Sequence, residues 1–559
     1  MAKPFFITTA IDYTNGAPHI GHAYEKVLAD VIARYHRLKG DDVFFLTGVD
    51  QHGQKVQQSA EKQGVPPQQF VDEITAKFKA LWEKLEVEYN EWAATTNSHH
   101  WKDRVQVNLQ KLWDDKDPAT GESRWLYKKT QRGFYSVRQE QFLTDKERNE
   151  QGEFGPEWQP VEEREEENFY FRLTQDRKTG APGFDPKQWL LDLIDKRSRD
   201  GKPFVVPDFR VAELRNAVGK LEGDLCISRP ASRLKWGIPF PESFGAGFVT
   251  YVWFDALLNY IHFVPGHNPN HSEIGAGQET EFAKWWATTL HVIGKDILIP
   301  AHGVYWPIML KALEYADEEI PTLLVHGWWN IAGAKMSKSL GNIVDPNTLA
   351  DKYGVEALRY YLMSDIATGK DADFSEERLV QRHNTDLANS LGNLLNRTLN
   401  MAHKYREGRL KTPSVSQAFL NALLEDAPDW QKARAVYEHH FDEFDLQVAL
   451  NVPIGVAAVH CNQLIDRQKP WALAKDPTRN EELDAVLYTL AESLRIIAVL
   501  ISPVLPKAAH GIFDQLRWKL DETGKESRFK LSEATWGGLP DGHVVGKPVP
   551  LFPRIETAK

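Results

Sequence analysis

The first fifty residues constrain the fold of this chain more than any other stretch. Phe5 to Ala10 is a short apolar and β-branched run, which predicts a strand. Asn15-Gly16 and Ala17-Pro18 then predict a turn. Val27, Leu28, Val31, Ile32, Tyr35 and Leu38 follow on one face at the 3.6-residue spacing of a helix, and Gly40 stops it. Asp42 to Gly48 predicts a second strand. Two strands joined by a helix pair in parallel, since a parallel pair needs a long crossover. The fold class is therefore α/β, with a doubly wound parallel sheet of Rossmann type.

The rest of the chain alters this pattern twice. Residues 116–170 are polar and carry the run Glu162-Glu163-Arg164-Glu165-Glu166-Glu167, read as a solvated face without function. Tyr251-Val252-Trp253-Phe254 and His291-Val292-Ile293-Gly294 then restore strand-like stretches. The α/β domain is thus split by an insertion at 116–228. From about residue 380 the pattern is helical, as in Leu387, Leu391, Leu394 and Leu395, or Leu487, Leu490, Leu494 and Ile497, which predicts an all-α bundle. The last forty residues read as an extended tail.

Charge and cysteine content exclude several function classes. Against 67 Lys and Arg stand 78 Asp and Glu, a net −11, so any nucleic-acid site is a local patch. Two cysteines, Cys226 and Cys461, exclude a disulfide scaffold and an all-cysteine zinc cluster. The N-terminus has no long apolar core of a secretory signal. Ile496 to Ile501 is far short of a membrane span. The expectation is a cytoplasmic protein without membrane contact.

Two motifs carry chemistry. His19-Ile20-Gly21-His22 sits where the first helix begins, and a helix N-terminus favours anions. Its imidazoles suit phosphate oxygens, and Gly21 leaves room for a nucleotide to approach the backbone. Alone, the pattern equally fits surface histidines or half of a metal site. Lys335-Met336-Ser337-Lys338-Ser339 places two lysines in a small-residue loop, suited to a mobile phosphate clamp. Alone, it reads as a solvated basic loop, the commoner fate of two lysines so spaced.

Together the two motifs resemble the signatures of class I aminoacyl-tRNA synthetases. The resemblance is nearest to the methionyl-tRNA synthetase family, in Thr8 to Tyr13, the His-Ile-Gly-His-Ala-Tyr run, Phe44 to Gln54, Tyr251 to Ala256, His291 to Asp296 and Pro550 to Ile555. It covers nearly the whole chain and is weakest over 116–228. It implies that His19, His22, Lys335 and Lys338 are catalytic. It implies that ATP, with Mg²⁺, meets His19, Gly21, His22, Gly294, Lys295, Asp296 and Lys338. It places methionine against Ile11, Tyr13, Asp50, Trp253, Ala256, Tyr260, Ile297 and His302, with Trp306 behind. Asp50 holds the substrate ammonium, a charge-assisted contact, and a thioether suits aromatic edges. Without the resemblance, Trp253 and Tyr260 read as core packing, and only the family match overturns that. Asp12 and Leu257 depart from the family's usual residues, and Arg229 matches a family arginine or anchors the insertion.

The resemblance divides the chain into a first catalytic half at 1–115, a connective lobe at 116–228 and a second catalytic half at 229–325. A linker with the lysine loop follows at 326–380, then a helical anticodon-binding domain at 381–520 and a tail folding back at 521–559. Relatives usually carry a zinc knuckle in the lobe, but Ser136 and Gln139 stand where thiolates belong, so no structural zinc is expected. Asn393, Arg397, Pro470 and Trp471 match the residues that read the anticodon of tRNA(Met), with core packing the alternative for Trp471. Lys404, Arg406, Arg409 and Lys411 are a candidate phosphate track or a solvated loop. A monomer is expected. Another class I synthetase and a non-catalytic tRNA-binding relative are the alternatives.

Overall fold

The computed structural model describes residues 2–136, 141–143, 145–149, 151–174, 184–267, 281–336, 343–416, 427–520 and 528–556, with 419, 423 and 425. Its centre is a seven-stranded sheet built from β1 (Pro4–Thr9), β2 (Asp12–Tyr13), β3 (Asp42–Asp50), β4 (Glu91–Ala94), β7 (Val205–Val206), β8 (Thr289–Gly294) and β9 (Thr322–His326). Strands β5 (Leu126–Ser136) and β6 (Val161–Phe171) lie outside it, in the inserted lobe. The sheet order is β2-β3-β1-β8-β9-β7, with β4 also on β3, and every pair is parallel. The chain runs outward from β1 to β3 on one side and returns to β8 on the other. The crevice at the carboxyl ends of β1 and β8 is therefore the switch point where such sheets bind ligands.

Period-two alternation assigns each strand to two cores. Ile7, Val43, Phe45, Val49, Leu290, Val292 and Leu324 join a cluster shared with helix α1 (Ile20–Lys39) and the C-terminal helices. Phe6, Phe44, Leu46, Ile293, Leu323 and Val325 join a second cluster on the other face. Both faces of a parallel sheet are buried, so these strands read as continuous apolar runs. The predicted helix face is buried as expected, and Gly40 ends α1 at φ 91°, in the left-handed region.

Two expectations are corrected. Tyr251-Val252-Trp253-Phe254 is not a strand; helix α2 spans Val252–His262. Phe254 to His262 are all buried, Asp255, Asn259 and His262 among them, and the four residues 251–254 cover only the first turn of the helix, too short a run to tell helix from strand by period. Residues 116–228 are also not wholly separate from the sheet, because Val205-Val206 pairs with Leu323-Leu324 as its edge strand. Two residues are too short a run for periodicity to reveal.

In the lobe, β5 and β6 form an antiparallel ladder from Leu126↔Phe171 to Ser136↔Val161. The acidic run lies on β6, where Arg164 stacks 4.5 Å over the buried Tyr135 ring. The C-terminal tail folds back, with Ile555 exchanging two 2.9 Å hydrogen bonds with Asn384. The helical run 446–473 has the length and hydropathy to cross a membrane, yet 56% of its apolar window is buried inside the protein, as in a core helix.

One ion pair joins these parts. Arg359, on helix α3 (Val355–Ser364), is fully buried and donates to Asp30 Oδ2 of α1 at 2.7 Å. The same guanidinium reaches the carbonyls of Leu85 (2.9 Å), Pro503 (3.1 Å) and Val504 (3.0 Å). Removing one partner of such a pair leaves an uncompensated buried charge, so Arg359→Leu is expected to cost about 3–5 kcal/mol. Urea unfolding checks this, and the Asp30→Leu/Arg359→Leu double variant is expected to lose less than the sum of the two singles.

Candidate active site

The residues at the carboxyl ends of β1, β3, β8 and β9 surround one cavity of about 530 Å³. Ile11, Tyr13, His19, Gly21, His22, Asp50, Trp253, Ala256, Tyr260, Gly294, Asp296, Ile297 and His302 all line it. Sequence positions nearly 300 residues apart thus meet at one place.

His19 is the N-cap of α1. Its Nδ1 accepts from Gly21 N at 3.1 Å, and His22 Nδ1 accepts from His19 N at 3.1 Å, a reciprocal capping box made by two imidazoles. A ring nitrogen that accepts carries no proton, so each neutral ring holds its proton on Nε2. Gly21 lines the cavity, and its smallness has a second consequence. A Cβ there meets His19 Cε1 at 2.9 Å, so the small residue protects the histidine cap.

The aromatic side of the cavity is ordered by a hydrogen-bond chain. His302 Nδ1–H donates to Ile297 O at 3.0 Å, and its Nε2 accepts from the Tyr260 hydroxyl at 2.8 Å. Burial lowers His302 to about 4, so the ring is neutral near pH 7. Trp306 stands behind, donating to His291 Nε2 at 3.0 Å, and burial holds His291 well below the usual imidazole range. Gly53, at φ 112°, lies so close to the Tyr13 hydroxyl that a Cβ there meets it at 2.6 Å.

Asp50 is buried. Among the described residues it receives only long contacts, from His52 N at 3.4 Å and the Thr95 hydroxyl at 3.5 Å on the same oxygen. Burial, and then the neighbouring Asp255 carboxylate, push its pKa well above the ordinary carboxylate value. A desolvated carboxyl facing an aromatic cavity, beside two phosphate-directed imidazoles, suits a small zwitterion and a nucleotide.

Comparison with known proteins agrees with this geometry. The family model for class I tRNA synthetases (M) matches residues 5–152 and 158–399. The methionine–tRNA ligase of Bacillus subtilis is 39% identical over 99% of this chain and 78% of its own length. That of Thermotoga maritima is 39% identical over 99% and 80%. The solved Mycobacterium tuberculosis methionyl-tRNA synthetase in complex with methionyl-adenylate superposes with a TM-score of 0.82, at 33% identity over 99% of this chain and all of that one. This chain belongs to the methionyl-tRNA synthetase family.

The family signatures are not all at the cavity. Lys295 is paired with Asp371 Oδ2 at 2.6 Å and lies 3.9 Å over the Trp328 ring, whose Nε1–H donates to Asp296 Oδ1 at 3.2 Å. Lys295 is not among the lining residues, whereas Trp328 is. Lys335 pairs through its backbone with Asn330, and Met336 lines the cavity; Lys338 lies outside the described residues. Arg229 is buried, 4.1 Å over the ring of the cavity residue Tyr251, and donates to Ser228 O at 2.8 Å.

Sequence reasoning missed a buried charged group beneath the motif. Lys26, fully buried, donates to Ala10 O (2.9 Å), Asp12 Oδ1 (2.9 Å) and Glu25 Oε1 (2.7 Å), and Glu25 Oε2 lies 3.0 Å from His326 Nε2. Asp12 Oδ2 is buried with no hydrogen-bond partner. The available signal was the i, i+4 spacing of His22 and Lys26, which puts a lysine on the motif's own helix face.

In the bundle, Asn393 is exposed and Arg397 pairs with Asp466 at 2.7 Å, on the helix that leads into Pro470-Trp471. Trp471 is 43% exposed, so core packing does not account for it. Arg406 is committed to Asp484 and to Asn480 O, which removes it from the candidate phosphate track. In the lobe, the Ser136 hydroxyl donates to Trp158 O at 2.6 Å, and Arg148 lies 4.2 Å over Phe154; Gln139 lies outside the described residues.

The neutral His302 has a measurable consequence. A base depressed from 6.5 to about 4 by folding contributes stability that is present above pH 6.5 and lost as the pH falls toward 4. Over that interval the wild type is expected to lose about 3 kcal/mol relative to His302→Gln. Urea midpoints of both proteins, taken from pH 7 to pH 4, check this.

Proposed function

We propose that this chain activates L-methionine with ATP to methionyl-adenylate and then transfers the methionyl group to the 3′ end of tRNA(Met). The observation that carries the reading is the meeting, in one cavity, of the histidine-capped helix, the neutral Tyr260–His302 pair and the desolvated Asp50.

The amino-acid side is recognised by charge and polarizability. Asp50 holds the ammonium group. Tyr13, Trp253, Ala256, Tyr260, Ile297 and His302 enclose the thioether, with the Tyr13 hydroxyl and the Ile11 backbone against the sulfur. A neutral His302 spares this pocket a desolvated cation. The substrate carboxylate then attacks the α-phosphorus, and pyrophosphate leaves. Negative charge grows on the phosphate oxygens, where the Nε2–H groups of His19 and His22 and the positive end of α1 stabilise it. Asp296 and Gly294 accommodate the ribose, and Lys335 and Lys338 follow the leaving phosphates; Mg²⁺ enters with ATP. In the second step the terminal ribose hydroxyl of the tRNA attacks the carbonyl carbon and AMP departs.

On this reading 1–115 and 229–325 form the catalytic domain, 116–228 the connective lobe, 326–380 the linker and 381–520 the anticodon-binding domain. Asn393, Arg397, Pro470 and Trp471 meet anticodon bases, and the protein works as a cytoplasmic monomer. The lobe is held without zinc by the Ser136–Trp158 bond and the Arg148–Phe154 stack.

ATP–pyrophosphate exchange with each of the twenty amino acids, on chelator-treated protein, is expected to proceed with methionine alone. Exchange with a different amino acid moves the pocket assignment, and restoration only on adding zinc refutes the zinc-free lobe. Trp471→Ala is expected to lower aminoacylation by about tenfold or more, the worth of one stacked base, while exchange stays within about twofold. Equal loss of both activities makes Trp471 structural.

A further inference from the structure

A line of buried polar groups runs inward from Asp50 and takes no part in the steps above. Asp255, on α2, is fully buried. Its Oδ2 lies 2.6 Å from His52 Nδ1 and its Oδ1 2.7 Å from His100 Nε2. His100 Nδ1 lies 3.0 Å from His262 Nδ1, and His262 Nε2 lies 2.9 Å from Asn108 Nδ2. Two distant segments of chain, one with His52 and one with His100 and Asn108, converge on α2 to build this line, and all five residues are nine-tenths or more buried.

The protons on the line follow from its partners. Burial raises Asp255, but His52 and His100 outweigh it and hold the carboxyl below its ordinary range. A carboxylate only accepts, so both facing ring nitrogens carry protons. Burial holds His262 well below the usual imidazole range, so His262 is neutral. Its Nε2 accepts from the Asn108 amide, which leaves its one proton on Nδ1, donated to His100 Nδ1. His100 therefore carries a single proton, on Nε2. The negative charge of Asp255 is hydrogen-bonded on both oxygens yet not cancelled by His100. His52 joins this charge to Asp50, its ring on Asp255 and its backbone N–H 3.4 Å from Asp50 Oδ1.

We propose that Asp255, oriented by His52 and His100, is a positioning residue for the amino-acid site: its charge stands behind Asp50, so that two carboxylates together demand a cation at the front of Asp50, and the arriving ammonium group displaces a proton from Asp50 to solvent. This rests on Asp50 being the ammonium ligand. The groups that face Asp50 are Asp255, His52, Thr95 and Tyr13, with Tyr260 and Lys55 lining the same cavity, and the raised proton affinity of Asp50 in the free protein has the sign the proposal needs. Ammonium favours the ionised carboxyl, so methionine affinity falls as the pH falls.

Titration calorimetry of L-methionine binding to the full chain tests this. Buffers of different ionisation enthalpy, from pH 5 to pH 8, read the protons released. The wild type is expected to release up to one proton per methionine, with affinity dropping up to about tenfold per pH unit in the acid limb. In Asp255→Asn the release and the acid limb move to lower pH, and affinity at pH 7 falls about tenfold, with the KM for ATP unchanged. This variant can keep every hydrogen bond. The new amide accepts from His52 and donates to His100 Nε2, the two inner histidines shift their protons outward, and the Asn108 amide turns over to accept. Unchanged proton release and affinity in the folded variant, or an effect confined to ATP, overturns the proposal. Methionine affinity unchanged in Asp50→Asn overturns instead the reading of Asp50. Nitrogen-15 NMR of the wild-type histidines provides a measurement that needs no variant: singly protonated His52 and His100 at neutral pH support the proposal, and an imidazolium at either overturns it.

Discussion

The Arg359–Asp30 pair is the constraint on which the orientation of the molecule's parts depends. Asp30 sits midway along α1, the helix whose first turn is capped by His19 and His22. Taking a guanidinium and a carboxylate out of water is costly, and it is offset only where the remaining donors and lone pairs find partners. Arg359 finds three carbonyls from two distant segments, and Asp30 also accepts from Arg34 and from Glu88 N. Near its other end α1 meets the helical bundle, through Tyr35 and Lys39 on Asp442 and the stack of Tyr35 on Phe441 at 4.2 Å. The helix that presents the phosphate-directed histidines is thus held by contacts with the C-terminal part of the chain.

The active site separates neutral from charged groups. On the aromatic side, His302 and His291 are kept neutral by burial, so neither imidazole brings a cation there. On the motif side, Lys26 is surrounded by Asp12, Glu25 and a carbonyl, and their attraction outweighs burial to keep it charged. Asp50 lies between these regions with poor hydrogen bonds and a carboxylate behind it. Such a group is expensive in the empty site and satisfied by an ammonium ion, the electrostatic form of preorganisation.

Legibility in the sequence followed exposure and period. The first βαβ unit was readable because α1 has one apolar face and its strands are uninterrupted runs. Helix α2 was not, because the strand-like run 251–254 covers only its first turn, too few residues for a period to separate helix from strand. The closeness of Gly21 to the ring of His19 was not legible, because that neighbour is defined only once the helix is capped. The place of Ser136 was read correctly as lacking thiolates, but its bond to Trp158 needed the register of β5 and β6.

By itself the sequence determined the α/β class, the helical C-terminal region, the positions of the two motifs and, through their resemblance to a family, the residues of the cavity. These depend on local period and on residue identity, which the chain carries in one dimension. Only the tertiary structure decided that His302 is neutral, that Lys295 is engaged by Asp371, that Lys26 is buried with Asp12 and Glu25, and that Asp255 stands behind Asp50. Each of these is a matter of desolvation and of partners distant in the chain, and a group's charge is set by its surroundings rather than by its neighbours in sequence.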